Sequence, residues 1–320
     1  MNTNVILIIL GEPNSTFSEI LFKYFKSQIF KKITKKVVLI GSHKLLLKQM
    51  NKLNYNIQLN EISEINNSIE KLNIMNVNYS FKDAFSKISE HSNKYIENCF
   101  NLGLTLIKKH KVFALINGPI SKKHFLKKKF PGITEYVAKK TNSKEPVMLI
   151  YNQDLAVNPL TTHIPIKNVS NFIKKKKIIN NVNKINNFYK LKLGKKPNIA
   201  VLGLNPHCET IDNVSEEKKE IIPAIKYLLK KKIKVEGPFA ADTFFLKKNV
   251  KKFDVVIGMY HDQVLTPVKT LFEFEAINIT IGLPFIKITP DHGPNYDMLG
   301  KNKSDPSSIF YALDFLNKIR

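Results

Sequence analysis

Three histidines stand where an apolar, strand-like run gives way to polar residues. Residues 253–258 are β-branched and apolar, and Met259-Tyr260-His261-Asp262-Gln263 follows them. Residues 198–204 repeat the pattern and end in Asn205-Pro206-His207. His163 lies in Thr162-His163-Ile164-Pro165. An apolar strand has no packing need for His-Asp-Gln at its end. In open α/β sheets, ligands lie beyond the carboxyl ends of the strands. Imidazole is a common metal ligand, and three from separate loops plus a carboxylate would make an open site with room for a substrate oxygen. Spacing alone leaves open the alternative that each is an ordinary surface or capping residue. After Gln263, residues 264–270 read as a turn that brings Lys269 back toward the strand end. Asp242, in the loop of residues 237–243, reads as a helix N-cap or as a carboxylate standing behind the ligands.

The elements that must position these residues alternate along the chain. Strands are expected at residues 5–10, 36–41, 112–116, 146–151, 155–157, 198–204, 253–258 and 276–283. Helices are expected at about 15–25, 43–53, 84–109, 168–190, 215–231 and 305–319. Ser121 and Thr134 read as helix N-caps. Residues 54–82 read as short strands and loops. The alternation predicts an α/β fold with a mostly parallel sheet. The length suits one two-lobed unit, with residues 1–140 and 285–320 roughly in one lobe and 141–284 in the other. No glycine fingerprint for a dinucleotide and no Walker loop is present.

Composition excludes several classes. The chain has 320 residues, 43% hydrophobic and 24% charged, a globular balance rather than a disordered one. No apolar run approaches the ~18–20 residues of a membrane span. Residues 5–10 lack the basic flank of a signal peptide. Two cysteines, Cys99 and Cys208, suggest no disulfide framework, and a cytoplasmic location is the default expectation. The formal net charge of +25 could suggest nucleic acid or an anionic membrane. Only Arg320 among the basic residues is arginine, however, and base recognition favours arginine's bidentate fork. Lysine-rich helix faces are the simpler reading, so neither nucleic acid nor membrane is expected as a partner.

A set of motifs in order identifies a family resemblance. They are Gly11-Glu12-Pro13, Gly118-Pro119-Ile120-Ser121-Lys122, Gly132-Ile133-Thr134-Glu135, Thr162-His163-Ile164-Pro165 and Gly203-Leu204-Asn205-Pro206-His207. Gly237-Pro238-Phe239-Ala240-Ala241-Asp242-Thr243, Tyr260-His261-Asp262-Gln263, residues 278–284 and Pro290-Asp291-His292-Gly293 continue the series. The chain resembles the 4-hydroxythreonine-4-phosphate dehydrogenases of pyridoxal phosphate synthesis over nearly its whole length. The resemblance implies a fold like that of isocitrate and isopropylmalate dehydrogenases, and a homodimer with active sites at the subunit interface. It assigns a divalent metal (Zn, Mg or Co) to His163, His207 and His261, with Asp242 and Lys269 as catalytic residues. Substrate contacts fall on positions 133, 134, 269, 278 and 287, here Ile133, Thr134, Lys269, Asn278 and Lys287. The implied reaction is NAD- or NADP-dependent oxidation at C3 of 4-phosphohydroxy-L-threonine. It gives a β-keto acid that decarboxylates to 3-amino-2-oxopropyl phosphate.

The chain departs from the family pattern at defined places. The family usually has histidine where Ile133 stands and arginine where Lys287 stands. Cys208-Glu209-Thr210 replaces Ala-Gly-Glu after His207, and Pro294 and Asn295 also differ. These departures bear on the substrate more than on fold or reaction type. A paralogous enzyme for erythronate or threonate 4-phosphate is therefore an alternative, and a phosphate acyltransferase on a similar fold is a further one.

Overall fold

The computed structural model describes residues 3–67, 70–110, 112–126, 129–130, 132–209, 214–273, 275–290 and 293–319. Pro131, Thr210, Asp291 and His292 lie outside the described residues. The strands in chain order are β1 (Thr3–Ile9), β2 (Lys36–Gly41), β3 (Asn60–Glu61), β4 (Leu72–Asn76), β5 (Val112–Asn117) and β6 (Val147–Tyr151). They continue as β7 (Ala156–Pro159), β8 (Ile199–Leu202), β9 (Val235–Phe239), β10 (Val255–Gly258), β11 (Ile277–Ile281) and β12 (Ile286–Thr289). Contacts divide the chain into two compact units, Met1–Pro146 with Gly282–Lys318, and Val147–Ile281 with Ile319–Arg320.

In the first unit the strand order is β3-β4-β2-β1-β5-β12, and every pairing is parallel. Parallel strands covered on both faces carry continuous apolar runs instead of an alternation. Residues Ile6, Leu7, Ile8 and Ile9 of β1 are accordingly all at 0% exposure. Helix Asn93–His110 packs on β1 and β2 through Ile96, Cys99, Phe100 and Leu106. Burial pushes the Cys99 thiol up to about 12, so it behaves as a small apolar side chain.

In the second unit the order is β11-β6-β7-β10-β8-β9. The β11–β6 and β6–β7 pairings are antiparallel, whereas β7–β10, β10–β8 and β8–β9 are parallel. The α/β class with a mostly parallel sheet thus holds in each unit. The core of the second unit gathers Val157, Ala200, Leu202, Val256, Phe244, Phe253, Val264 and Val268.

Several local expectations change. The helix expected over residues 84–109 begins only at Asn93, because Ser89 caps a short 3-10 turn by accepting from the His91 N–H. Thr134 is not an N-cap: the helix is Ile133–Lys140, with Gly132 at its N-cap. Asp242 is not one either, since the helix Ala241–Phe244 is preceded by Ala240 at that position. Ser121 does cap, accepting from the His124 N–H. Residues 264–270 are not a turn but part of the helix His261–Phe272. Val264 and Val268, one turn apart on its buried face, hold it in place through Pro267 despite proline's cost of about 3 kcal/mol in a helix.

Candidate active site

His163 follows β7, His261 follows β10, His207 follows β8 and Asp242 follows β9. Those four strands are consecutive neighbours in one parallel run of the second unit. Parallel pairing puts all four carboxyl ends on the same edge. Topology therefore brings to one edge four residues that the sequence spreads from position 163 to position 261.

Hydrogen bonds then fix the loops. The Leu160 N–H donates to the Gly258 carbonyl at 2.7 Å, and the Thr161 hydroxyl donates to the Met259 carbonyl at 2.7 Å. These bonds tie the His163 loop to the His261 loop, and the two imidazole centroids lie 6.0 Å apart at 37°. His261 Nδ1 lies 2.7 Å from Asp262 Oδ1. A carboxylate on one ring nitrogen orients the ring and leaves the other nitrogen for a ligand. His207 Nδ1 lies 3.8 Å from Asp242 Oδ2, both side chains being largely exposed. Among the described residues, no group of three or more His, Cys, Asp or Glu side chains is gathered closely enough to hold an ion. The arrangement is two pairs, His163 with His261 and His207 with Asp242.

The donor types suit a divalent metal: three imidazoles and a carboxylate on one sheet edge, though in two separate pairs. The backbone carries a further sign. His163 and His207 have left-handed φ of +48° and +55°, and Cys208 one of +61°. Non-glycine residues held there cost roughly 1–3 kcal/mol and tend to cluster at functional sites. The His207 loop is also braced. Glu217, 1% exposed, accepts from the Leu204 and Asn205 N–H groups at 2.8 and 2.9 Å and from Asn205 Nδ2 at 2.9 Å. Burial pushes its carboxyl up, but the hydrogen bonds from Asn205 and Leu204 outweigh this and hold it below the usual glutamate value. Gln263 accepts from the Met259 N–H at 2.7 Å and donates to the Gly203 carbonyl at 2.8 Å.

Lys269 lies on the helix His261–Phe272, about two turns beyond His261, where partial burial lowers its ammonium below the usual lysine value. Asn278, on β11, keeps a buried Oδ1 that has no hydrogen-bond partner among the described residues.

The remaining candidates belong to the first unit. Ile133 opens the helix Ile133–Lys140, and its side chain packs against that unit's hydrophobic core. Thr134 follows in the same first turn. Lys287, on β12, is at 0% exposure and opposite Leu115 of β5. Its ammonium donates to Thr289 Oγ1 at 2.6 Å, and that hydroxyl donates to Asn117 Oδ1 at 3.0 Å. Burial pushes Lys287 down to about 7, although Glu135 pulls it partly back. Lys287, which the family resemblance puts at a substrate-contact position, is thus an interior amine. The sequence reading passed over Glu217, whose Glu216-Glu217-Lys218-Lys219 surroundings look like an exposed helix start. Gln263 and Asp262 were visible in their motif, but nothing in the sequence assigned their partners.

A family model described as pyridoxal phosphate biosynthetic protein PdxA matches residues 32–316. The chain belongs to the PdxA family. A PdxA-family relative from Sulfurihydrogenibium sp. (strain YO3AOP1), a 4-hydroxythreonine-4-phosphate dehydrogenase, is 38% identical over 97% of this chain and 96% of its own length. The crystal structure of 4-hydroxythreonine-4-phosphate dehydrogenase from Klebsiella pneumoniae is 26% identical, with a TM-score of 0.83 over 98% of each chain. Isocitrate dehydrogenase from Methylococcus capsulatus is 10% identical, with a TM-score of 0.51 over 98% of this chain and 84% of that one. That last likeness is one of fold alone. This PdxA-family chain is therefore a dehydrogenase on an isocitrate-dehydrogenase-like fold, and no helix among the described residues is long and apolar enough to cross a membrane.

Proposed function

We propose that this chain oxidises 4-phosphohydroxy-L-threonine at C3, using NAD or NADP, in pyridoxine 5′-phosphate biosynthesis. The product, 2-amino-3-oxo-4-phosphobutanoate, loses carbon dioxide to give 3-amino-2-oxopropyl phosphate. The observation that carries the reading is the placement of His163, His261, His207 and Asp242 at four consecutive parallel strand ends, in a chain of this family.

His163, His207 and His261 would hold one divalent metal, with zinc, magnesium and cobalt the candidates. When bound, it supplies a Lewis acid that makes the C3 hydroxyl easier to deprotonate. NAD or NADP, when bound, would supply the acceptor for the C3 hydride. Asp262 holds the His261 ring in one orientation, whereas Asp242 Oδ2, 3.8 Å from His207 Nδ1, lies beyond hydrogen-bond distance. Lys269, with its ammonium lowered by burial, is the cation assigned to the developing negative charge on the C3 oxygen. Asn278, whose buried Oδ1 has no partner among the described residues, would accept from a substrate donor, and Thr134 would add a hydroxyl. Lys287, once protonated, would pair with the substrate's phosphate or carboxylate. Family membership also supports a homodimer with active sites at the subunit interface, which sedimentation equilibrium would test.

The test is absorbance of reduced nicotinamide with 4-phosphohydroxythreonine, with and without divalent metal. Metal-dependent reduction is expected, and its absence with every metal would end the proposal. A second reading draws on Ile133, which packs into the core where the family usually presents an imidazole. It makes the substrate erythronate or threonate 4-phosphate, which lack the amino group. Faster turnover of these acids than of 4-phosphohydroxythreonine would decide for it.

A further inference from the structure

Lys287 ends a chain of side chains whose hydrogen bonds all run one way. Residues two apart on a strand share a face, so Lys287 and Thr289 lie on the same side of β12. Thr289 is the last residue of β12, and Asn117 is the last residue of its parallel neighbour β5. Asn117 Nδ2 donates to the Gly118 carbonyl at 3.0 Å, which leaves the amide oxygen for Thr289. That oxygen can only accept, so the Thr289 hydroxyl donates to it at 3.0 Å. A hydroxyl has one hydrogen. With it committed to Asn117, Thr289 Oγ1 can only accept from Lys287 Nζ, at 2.6 Å.

Both ends of this chain are interior, since Lys287 and Asn117 are each at 0% exposure. A buried amine has two forms with opposite needs. The ammonium needs acceptors, whereas the neutral amine needs a donor for its lone pair. The chain supplies an acceptor and keeps the hydroxyl hydrogen away from that lone pair. It therefore favours the ammonium, against the desolvation that opposes it. Glu135, in the first turn of the helix Ile133–Lys140, is the charged group that acts on Lys287, and it acts in the same direction as the chain.

We propose that Thr289 and Asn117 are positioning residues for Lys287, holding its amine as a hydrogen-bond donor and setting how readily it carries its proton. Asn117 acts through Thr289, and Thr289 acts through Lys287. The consequence for substrate rests on the reading that Lys287 meets the phosphate or carboxylate. The charge of the amine does not depend on that reading.

Two measurements keep these apart. The first needs no substrate: urea unfolding across pH, with each protein compared against its own K287M counterpart, locates the pH at which the buried amine charges. The second is the pH at which KM begins to climb. T289V removes the acceptor, and N117A frees the Thr289 hydroxyl to donate to the neutral amine. Both are expected to move the stability transition to lower pH, by about one pH unit, as for one hydrogen bond to a charged group. N117D sets a negative charge at the end of the chain and is expected to move the transition to higher pH. T289S keeps the hydroxyl and should keep the parent's value. A loosened strand end would not shift the transition in opposite directions according to the charge introduced. The onset of the KM rise is expected to follow in each case. A stability transition that stays at the parent's pH in T289V and N117A, or that moves to lower pH in N117D, overturns this inference alone. If N117D does not fold, T289V against T289S decides. Shifts in the stability transition with none in KM support the inference and overturn the assignment of Lys287 to the substrate.

Discussion

Lys287 donates from its ammonium to Thr289 Oγ1 at 2.6 Å with no part of the lysine in contact with water. The hydroxyl passes the interaction on to Asn117. This is a short neutral chain around a group that would rather be solvated, which is why its pKa falls to about 7. The sign of the stability effect follows. The folded value lies below the ordinary lysine value, so between them the unfolded chain binds the extra proton, and stability rises with pH across that window. Below about 7 the cost of burying the charge is present in full. Relative to the parent, K287M should be more stable at about pH 6 and lose that advantage by about pH 10, the swing being on the order of a few kcal/mol. Urea unfolding at both pH values checks it, and a pH-independent difference would contradict it.

The same residue makes a kinetic prediction. An amine that loses its charge above about 7 holds an anionic substrate less well there, so KM should climb with pH in the parent. Lys287→Arg stays charged and restores a bidentate fork, so KM should fall and its rise with pH should disappear. Ile133→His adds a polar contact worth roughly 0.5–1.5 kcal/mol if neutral, at some expense to core packing. The double variant should lower KM for 4-phosphohydroxythreonine with kcat little changed. If neither single change nor the pair improves KM, the pocket is built for another acid.

Replacing His163, His207 or His261 with alanine should remove most bound metal and most turnover. Affinity should fall as pH is lowered, since protons compete for the same nitrogens. His43, His91, His110 and His124 should tolerate alanine in the same assay. Elemental analysis after dialysis, alongside turnover, reads both, and full activity in metal-free protein would refute the assignment.

Glu217 gives an acid-side counterpart. Its folded value is depressed, so its contribution to stability is complete above the ordinary glutamate value and is lost as pH falls through the folded one. Glu217→Ala strands the Leu204 and Asn205 donors and should cost on the order of 1–3 kcal/mol at neutral pH. The difference from the parent should shrink at acid pH, and thermal melts from neutral to acid conditions would show it.

The basic charge should have little consequence for nucleic acid. Binding of RNA or DNA is expected to be weak and lost at physiological salt. Filter binding at two salt concentrations tests this, and salt-resistant, sequence-specific binding would point to a second role.

The sequence by itself determined the class and the family. Short continuous apolar runs such as residues 5–10 read as buried strands, and their alternation with helical patterns points to an α/β sheet. The motifs around His163, His207 and His261, taken in order with the others, carry the family resemblance. Tertiary structure decided what local patterns could not. The order β7-β10-β8-β9 is a matter of long-range pairing, and it alone puts the three histidines on one sheet edge. The helix through Pro267 exists because Val264 and Val268 find a core to bury against, which no residue inside the segment announces. That Lys287 is an interior amine is decided only by the pairing of β12 with β5. Glu217 reads as an exposed helix start until the loop that begins at Gly203 folds onto its carboxylate, a contact across thirteen residues that only the folded chain specifies.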